Sequence, residues 1–187
     1  YHSGRRRLDD RDQLNIEFAG VYRHYHSCLM RTICIGEPSA LHVEYHRVAT
    51  EALRTCVDTM RVGATVGDVF DAHARVFDEA GLNKWRLNAC GYCLGTTFAP
   101  NWMDWPMIYK DNPVVIEPNM VFFLHLVIMD AENHVVMAPG VTVVTAVAPG
   151  PVTTSSSGAA CAGDRSFLFS SIEELALHPG CRPGANC

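Results

Sequence analysis

The chain has 187 residues, 48% hydrophobic and 19% charged, with a formal net charge of −5. One domain of this length can bury a core, and no apolar run approaches the roughly 20 residues of a membrane-spanning helix. Apart from Arg5, Arg6 and Arg7 the basic residues are scattered, which excludes the continuous basic face that binds nucleic acid.

The partner expected is therefore a small polar molecule, with neither nucleic acid nor membrane. The first residue is Tyr1 and not Met, and a basic segment follows it; the expectation is a piece of a longer protein whose N-terminal part is missing. Cys28, Cys34, Cys56, Cys90, Cys93, Cys161, Cys181 and Cys187 follow no regular disulfide framework and no signal peptide is visible in these residues, so reduced thiols and a cytoplasmic location are expected. Cys90-Gly91-Tyr92-Cys93 is a CxxC, but it lies in a strand-like context and has no second CxxC to complete a zinc site.

Residues 1 to 13 are polar and read as a connection into the first strand, with His2 a solvated side chain on composition alone. Leu14, Ile16 and Phe18 alternate, which sets Asn15, Glu17 and Ala19 on the opposite face. Residues 25 to 35 continue the alternation on a return strand, with His26, Cys28, Met30 and Thr32 on one side and Tyr25, Ser27, Leu29 and Arg31 on the other. A turn centred on Tyr22 and Arg23 puts Glu17 across from Cys28 and Ala19 across from His26. Tyr-Arg is poor chemistry for a two-residue primed turn, so a wider loop and a register shifted by one residue are compatible too. A carboxylate, an imidazole and a thiol then share one face, which is either a site or the wet side of an edge hairpin.

Ser39 can cap a helix in which Tyr45, Val48, Ala49, Ala52, Leu53, Cys56, Val57 and Met60 recur at helical spacing. Gly63 ends it. Thr65-Val66-Gly67-Asp68 is a capping box for a second helix carrying Val69, Phe70, Ala72, His73, Val76, Phe77 and Ala80, closed by Gly81. His42, His46 and His73 read as structural or solvated. Strands follow at residues 86 to 94, 113 to 117 and 120 to 130, with an aromatic, Pro-broken loop, FAPNWMDWPMIY, between the first two. That loop holds Trp102, Trp105, Tyr109 and Asp104 and either walls a pocket or covers a sheet. The run at 120 to 130 reads as one central strand in which His125 is buried and needs a partner. Residues 130 to 134 turn into strands at 135 to 138 and 141 to 147. From Pro149 the composition becomes loose, giving domain bounds of 1–148 and a tail of 149–187 with one short helix at 171 to 177.

This order of elements, with IEFAGVYRHYHSCLMRT, RVGATVGDVFDAHARVFDEAGL, CGYCLG, IEPNMVFFLHLVIM and VTVVTAV, resembles the later part of the catalytic domain of the M24 peptidase and creatinase family. The resemblance implies an α+β pita-bread fold: a curved, largely antiparallel sheet with helices on its outer face. It also implies a homodimer. Metal-dependent members carry two Asp eleven positions apart on the hairpin, a His in a GHG-like strand and two Glu on the last strands. Here Glu17, Cys28, Tyr92, His125 and Ala146 stand at those positions, so the usual dimetal centre is not expected. A single divalent ion on Glu17, His26, Cys28 and His125 stays open.

The family also has metal-independent branches, creatinases and ectoine hydrolases, and the hairpin with Tyr92 looks more like the ectoine-hydrolase side. By resemblance His2 stands near an active-site His as base or proton shuttle, and Glu17 is candidate acid, base or nucleophile. Tyr92 and His125 complete the catalytic candidates, and His26, Arg31, Trp102 and Asp104 the substrate-binding ones. The function implied is cofactor-free hydrolysis of an amide or amidine C–N bond in a small zwitterion. The alternatives are a metal-dependent Xaa-Pro dipeptidase and a non-catalytic relic used for binding.

Overall fold

A computed structural model describes residues 4–145 and 153–155. Strands β1 (Gln13–Tyr22) and β2 (Tyr25–Cys34) form a hairpin whose turn is Arg23-His24. Both turn residues have positive φ, 50° and 68°, as a two-residue type I′ turn demands. The turn thus sits one residue later than the sequence suggests. Ala19 faces Cys28, Glu17 faces Met30 and Val21 faces His26. The shift moves each partner by two, so the face assignment survives: Glu17, Ala19, His26, Cys28 and Met30 still share a side.

Helix α1 (Ala40–Thr59) begins where the Ser39 side chain accepts the His42 N–H, and it buries Tyr45, Val48, Ala49, Ala52, Leu53, Cys56 and Val57 along one stripe. Helix α2 (Val66–Glu79) opens on the expected box, with Thr65 and Asp68 satisfying each other's backbone N–H groups. Gly81, at φ +71°, then takes the left-handed conformation that a side chain would disfavour.

The sheet continues with β3 (Ala89–Cys93), β4 (Asp104–Tyr109) and β5 (Val121–His125). The aromatic stretch therefore does not stay a loop: its second half is β4, the outermost strand, where Pro106 forfeits no central pairing. Residues 120 to 130 are likewise not one strand. β5 stops at His125, and Ile128–Asp130 forms β6, paired with β7 (Val135–Met137) in a separate two-stranded sheet. Both pieces are largely apolar and, Met129 apart, buried or half-buried, so hydropathy carries no mark of the break, which is made where Leu126 donates to the Pro139 carbonyl. Residues 113 to 117 form no named strand; Val114 and Ile116 instead bond the loop between the helices through Val66 and Ala64.

Strand β8 (Gly140–Val144) pairs with β5 along its length, and β9 (Thr153–Ser155) pairs with β8. β9 falls inside the stretch expected to be a loose tail, where Thr153 and Thr154 supply β-branched residues. The rest of that stretch, including the helix expected at 171 to 177, lies outside the described residues. The strand order is β1-β2-β8-β5-β3-β4, antiparallel throughout.

Two apolar clusters flank this sheet. The larger joins α1 and α2 to Cys90, Ile108, Phe122, Leu124, Val141 and Val143, and each fully buried large side chain there is worth roughly 2 to 3 kcal/mol. The smaller lies on the other face, around Cys28, Met30, Tyr92, Leu94 and Phe123. Among the described residues no helix is long and apolar enough to cross a membrane.

Candidate functional site

The second cluster is where the polar side chains gather. Glu17 is half-buried on the hairpin, and loss of solvation raises its pKa. Cys28, only 3% exposed, is pushed up to about 12, first by burial and then by the charge of Glu17. The Thr142 hydroxyl accepts the Cys28 N–H at 2.7 Å and donates to the Cys28 carbonyl at 2.9 Å. A side chain thus closes the ladder between β2 and β8 where the two strands share a single paired position, Met30 with Gly140.

Tyr92 enters from β3, opposite Phe123. Its ring lies 5.4 Å from His125 and 5.5 Å from Phe123, and Phe123 lies 5.8 Å from His125. Burial lowers the His125 pKa to about 4, so at neutral pH it is an uncharged imidazole, able to accept a proton but carrying no cationic charge. Its environment is aromatic, and the hydrogen bond to its ring comes from its own backbone, a local partner that works against the lowering. Trp102 Nε1–H donates to the Tyr92 hydroxyl at 2.9 Å. His26 lies 6.4 Å from the Trp102 ring, and its Nδ1 is 3.1 Å from the Thr97 hydroxyl.

One face of the sheet therefore unites Glu17, His26, Tyr92, Trp102 and His125. Arg31 is not with them. It leaves β2 from the opposite face and donates to the carbonyls of Met30 at 2.8 Å and Gly140 at 2.7 Å. Asp104 is exposed at the start of β4, accepting the Trp105 N–H at 2.8 Å. Its carboxylate rests against Gly95, where a Cβ would collide with it. His2 and Ala146 lie outside the described residues. Thr142, Thr97 and Phe123 were not among the expected site residues. A lone Thr inside Val-Thr-Val-Val was a readable signal for the first; Thr97 and Phe123 had none.

The CxxC is part of β3, with Cys90 fully buried beside Cys56. All five described cysteines are free. Pairs of divalent ions that activate water are held by hard carboxylate and imidazole donors. The side chains at the corresponding places are one carboxylate, one deeply buried thiol, one phenol and one imidazole, and the thiol would have to ionise against its shift. That set does not fit a dimetal centre. Among the described residues no three His, Cys, Asp or Glu side chains stand close enough to share an ion.

Comparison with known proteins follows the same lines. The model described as metallopeptidase family M24 matches residues 1–152. Among curated proteins, the uncharacterized hydrolase/peptidase y4tL of Sinorhizobium fredii is 34% identical over 120 residues, 64% of this chain and 29% of that protein. The ectoine hydrolase of Halomonas elongata is 27% identical over 107 residues, 57% of this chain and 27% of its own length. The chain thus spans about 30% of the curated relatives it matches. Among solved structures, the prolidase from Pyrococcus furiosus superposes with a TM-score of 0.73 at 20% identity, covering 81% of this chain and 43% of that one. The fold is the pita-bread fold.

Proposed function

Because the chain belongs to metallopeptidase family M24, whose model matches residues 1–152, we propose that the full protein hydrolyses an amide or amidine C–N bond in a small zwitterionic, amino-acid-like molecule, and does so without a dimetal centre. The observation that carries this reading is that Glu17 and a buried, protonated Cys28, eleven residues apart, share one face of the hairpin without pairing directly. The hairpin keeps its geometry while its donors suit proton and acyl chemistry better than ion binding.

In this scheme Glu17 either attacks the electrophilic carbon or acts with water, which His2 helps to activate. The raised pKa of Glu17 brings a carboxylate closer to the range of a useful general base. Tyr92 donates to the oxygen or nitrogen on which charge develops. His125, uncharged at neutral pH, can carry the proton to the leaving nitrogen. The ring faces of Tyr92, His26 and His125 around one carboxylate suit a cationic amidinium or ammonium group. The irregular cysteine spacing suits a reducing compartment, and we place the protein in the cytoplasm, as a homodimer by its family resemblance.

A second reading, a metal-dependent dipeptidase of the Xaa-Pro type with substitute ligands, is favoured by the metallopeptidase description of the family. One experiment separates the two. The full-length protein is analysed for metal content and screened against ectoine, creatine and Xaa-Pro dipeptides, before and after chelation. Turnover of an amidine or amide that survives chelation is expected. Stoichiometric metal together with dipeptide turnover that chelation abolishes would overturn the proposal in favour of the second reading.

A further inference from the structure

The geometry points to Trp102 as a positioning residue for Tyr92, acting through its indole N–H, and not as a wall against which substrate stacks. An indole nitrogen donates and cannot accept, so in the 2.9 Å contact the Tyr92 oxygen is the acceptor. The phenol's own hydrogen is therefore directed away from Trp102, and a phenol that accepts one hydrogen bond donates the next more strongly.

The rest of Tyr92 is already fixed. Its backbone pairs with Phe123 on one side and Met107 on the other, and its ring packs on Phe123 and His125. The indole acts on the hydroxyl itself, occupying one acceptor direction of its oxygen. Trp102 in turn belongs to a loop pinned to the hairpin tip. Thr96 bridges to Tyr25, Thr97 N–H donates to the His24 carbonyl at 3.2 Å, and the Phe98 ring lies 4.3 Å from His24. The same loop places Thr97 on His26. One connection between β3 and β4 thus orients a polar side chain on each half of the sheet.

This inference rests on the reading in which Tyr92 donates to the reacting group, and its test separates the two. Full-length protein labelled at the tyrosine ring carbon that bears oxygen is compared by NMR with its Trp102→Phe variant, the Tyr92 signal being assigned from Tyr92→Phe. The Tyr92 signal is expected to move in Trp102→Phe, and the Trp102 indole N–H signal to move upfield in Tyr92→Phe, so either variant alone reports the contact. With whichever substrate of the panel is turned over, Trp102→Phe should lower kcat about tenfold with KM little changed, and should cost nothing further in a Tyr92→Phe background. Unmoved signals, a raised KM with kcat kept, or losses that simply multiply would overturn the assignment. Moved signals with no turnover of any panel substrate would sink the hydrolase reading and leave the coupling of Trp102 to Tyr92 standing.

Discussion

Glu17 and His73 show how single side chains carry a cost that the fold offsets elsewhere. The folded-state pKa of Glu17 is raised by burial, so its protonated form is the one the fold favours. That contribution is present at low pH and is lost as pH rises through the raised value. At pH 7 the ionised carboxylate therefore weighs against folding. Glu17→Gln should raise the thermal midpoint at pH 7, with the advantage shrinking toward pH 4, while cutting turnover about a thousandfold. Calorimetry at the two pH values and one assay check both halves; an unchanged or lowered midpoint at pH 7 would remove Glu17 as a strained functional group.

His73 is the reverse case. It is fully buried against Phe70 and Phe77, neither ring nitrogen has a hydrogen-bond partner among the described residues, and burial lowers its pKa to about 3. It folds neutral, so the stability present above the unfolded value is lost as pH falls. Between pH 7 and 5 the loss from this one group is about 2 kcal/mol, taking an unfolded pKa of about 6.5. His73→Leu should flatten that slope and raise the urea midpoint, as read from denaturation curves at pH 7 and 5. A slope as steep as the parent's would assign the acid sensitivity elsewhere, with His125, lowered to about 4, next in line.

Among the elements, those with two independent signals were readable. Both helices combine a 3.6-residue stripe with a cap, and every residue of the α1 stripe is buried. The strands had one signal each. For β1 and β2 alternation was enough to assign faces, but not register, because the turn is made by Arg23 and His24 against their own preference for negative φ. The long apolar run divided between β5 and β6 could not be split by hydropathy, since both halves are largely apolar. β4 was hidden because Pro106 and the aromatic residues read as loop chemistry. In the site, Glu17, Tyr92 and His125 were legible through alternation and family spacing, whereas the hydroxyls of Thr97 and Thr142 act across 71 and 114 residues of sequence. The strained turn makes its own prediction. Replacing Arg23-His24 by Asn-Gly should stabilise the protein by about 1 kcal/mol, and a lower urea midpoint would show that the contacts of His24 with Phe98 outweigh the backbone gain.

At the scale of the whole molecule the two halves of the sheet are unequally covered. Helices α1 and α2 pack on one face of β8, β5, β3 and β4. The same face of the hairpin carries Leu14, Ile16, Phe18, Leu29 and Ile33, none of which joins either apolar cluster's buried set. Leu14 is 36% exposed and Phe18 51%. Contiguous apolar surface at an edge strand promotes association. A polypeptide of these 187 residues should therefore sediment as concentration-dependent oligomers, and Leu14→Thr with Phe18→Lys should shift it toward monomer. If the double variant sediments as the parent does, this face is not what associates.

The seam between β2 and β8 has a mechanical meaning. One paired position, the Thr142 hydroxyl and the Arg31 guanidinium hold the hairpin to β8, and the side chains of Thr32 and Gln13 hold it to β7 and its neighbours; the seam runs between Glu17 on one side and Tyr92 and His125 on the other. It is stitched largely by side chains, where the rest of the sheet is laced by backbone. Any shift along it changes the gap between Glu17 and His125. The spacing of the candidate site is then set by a stitch of a few side chains, much as the span of a pair of calipers is set by its screw.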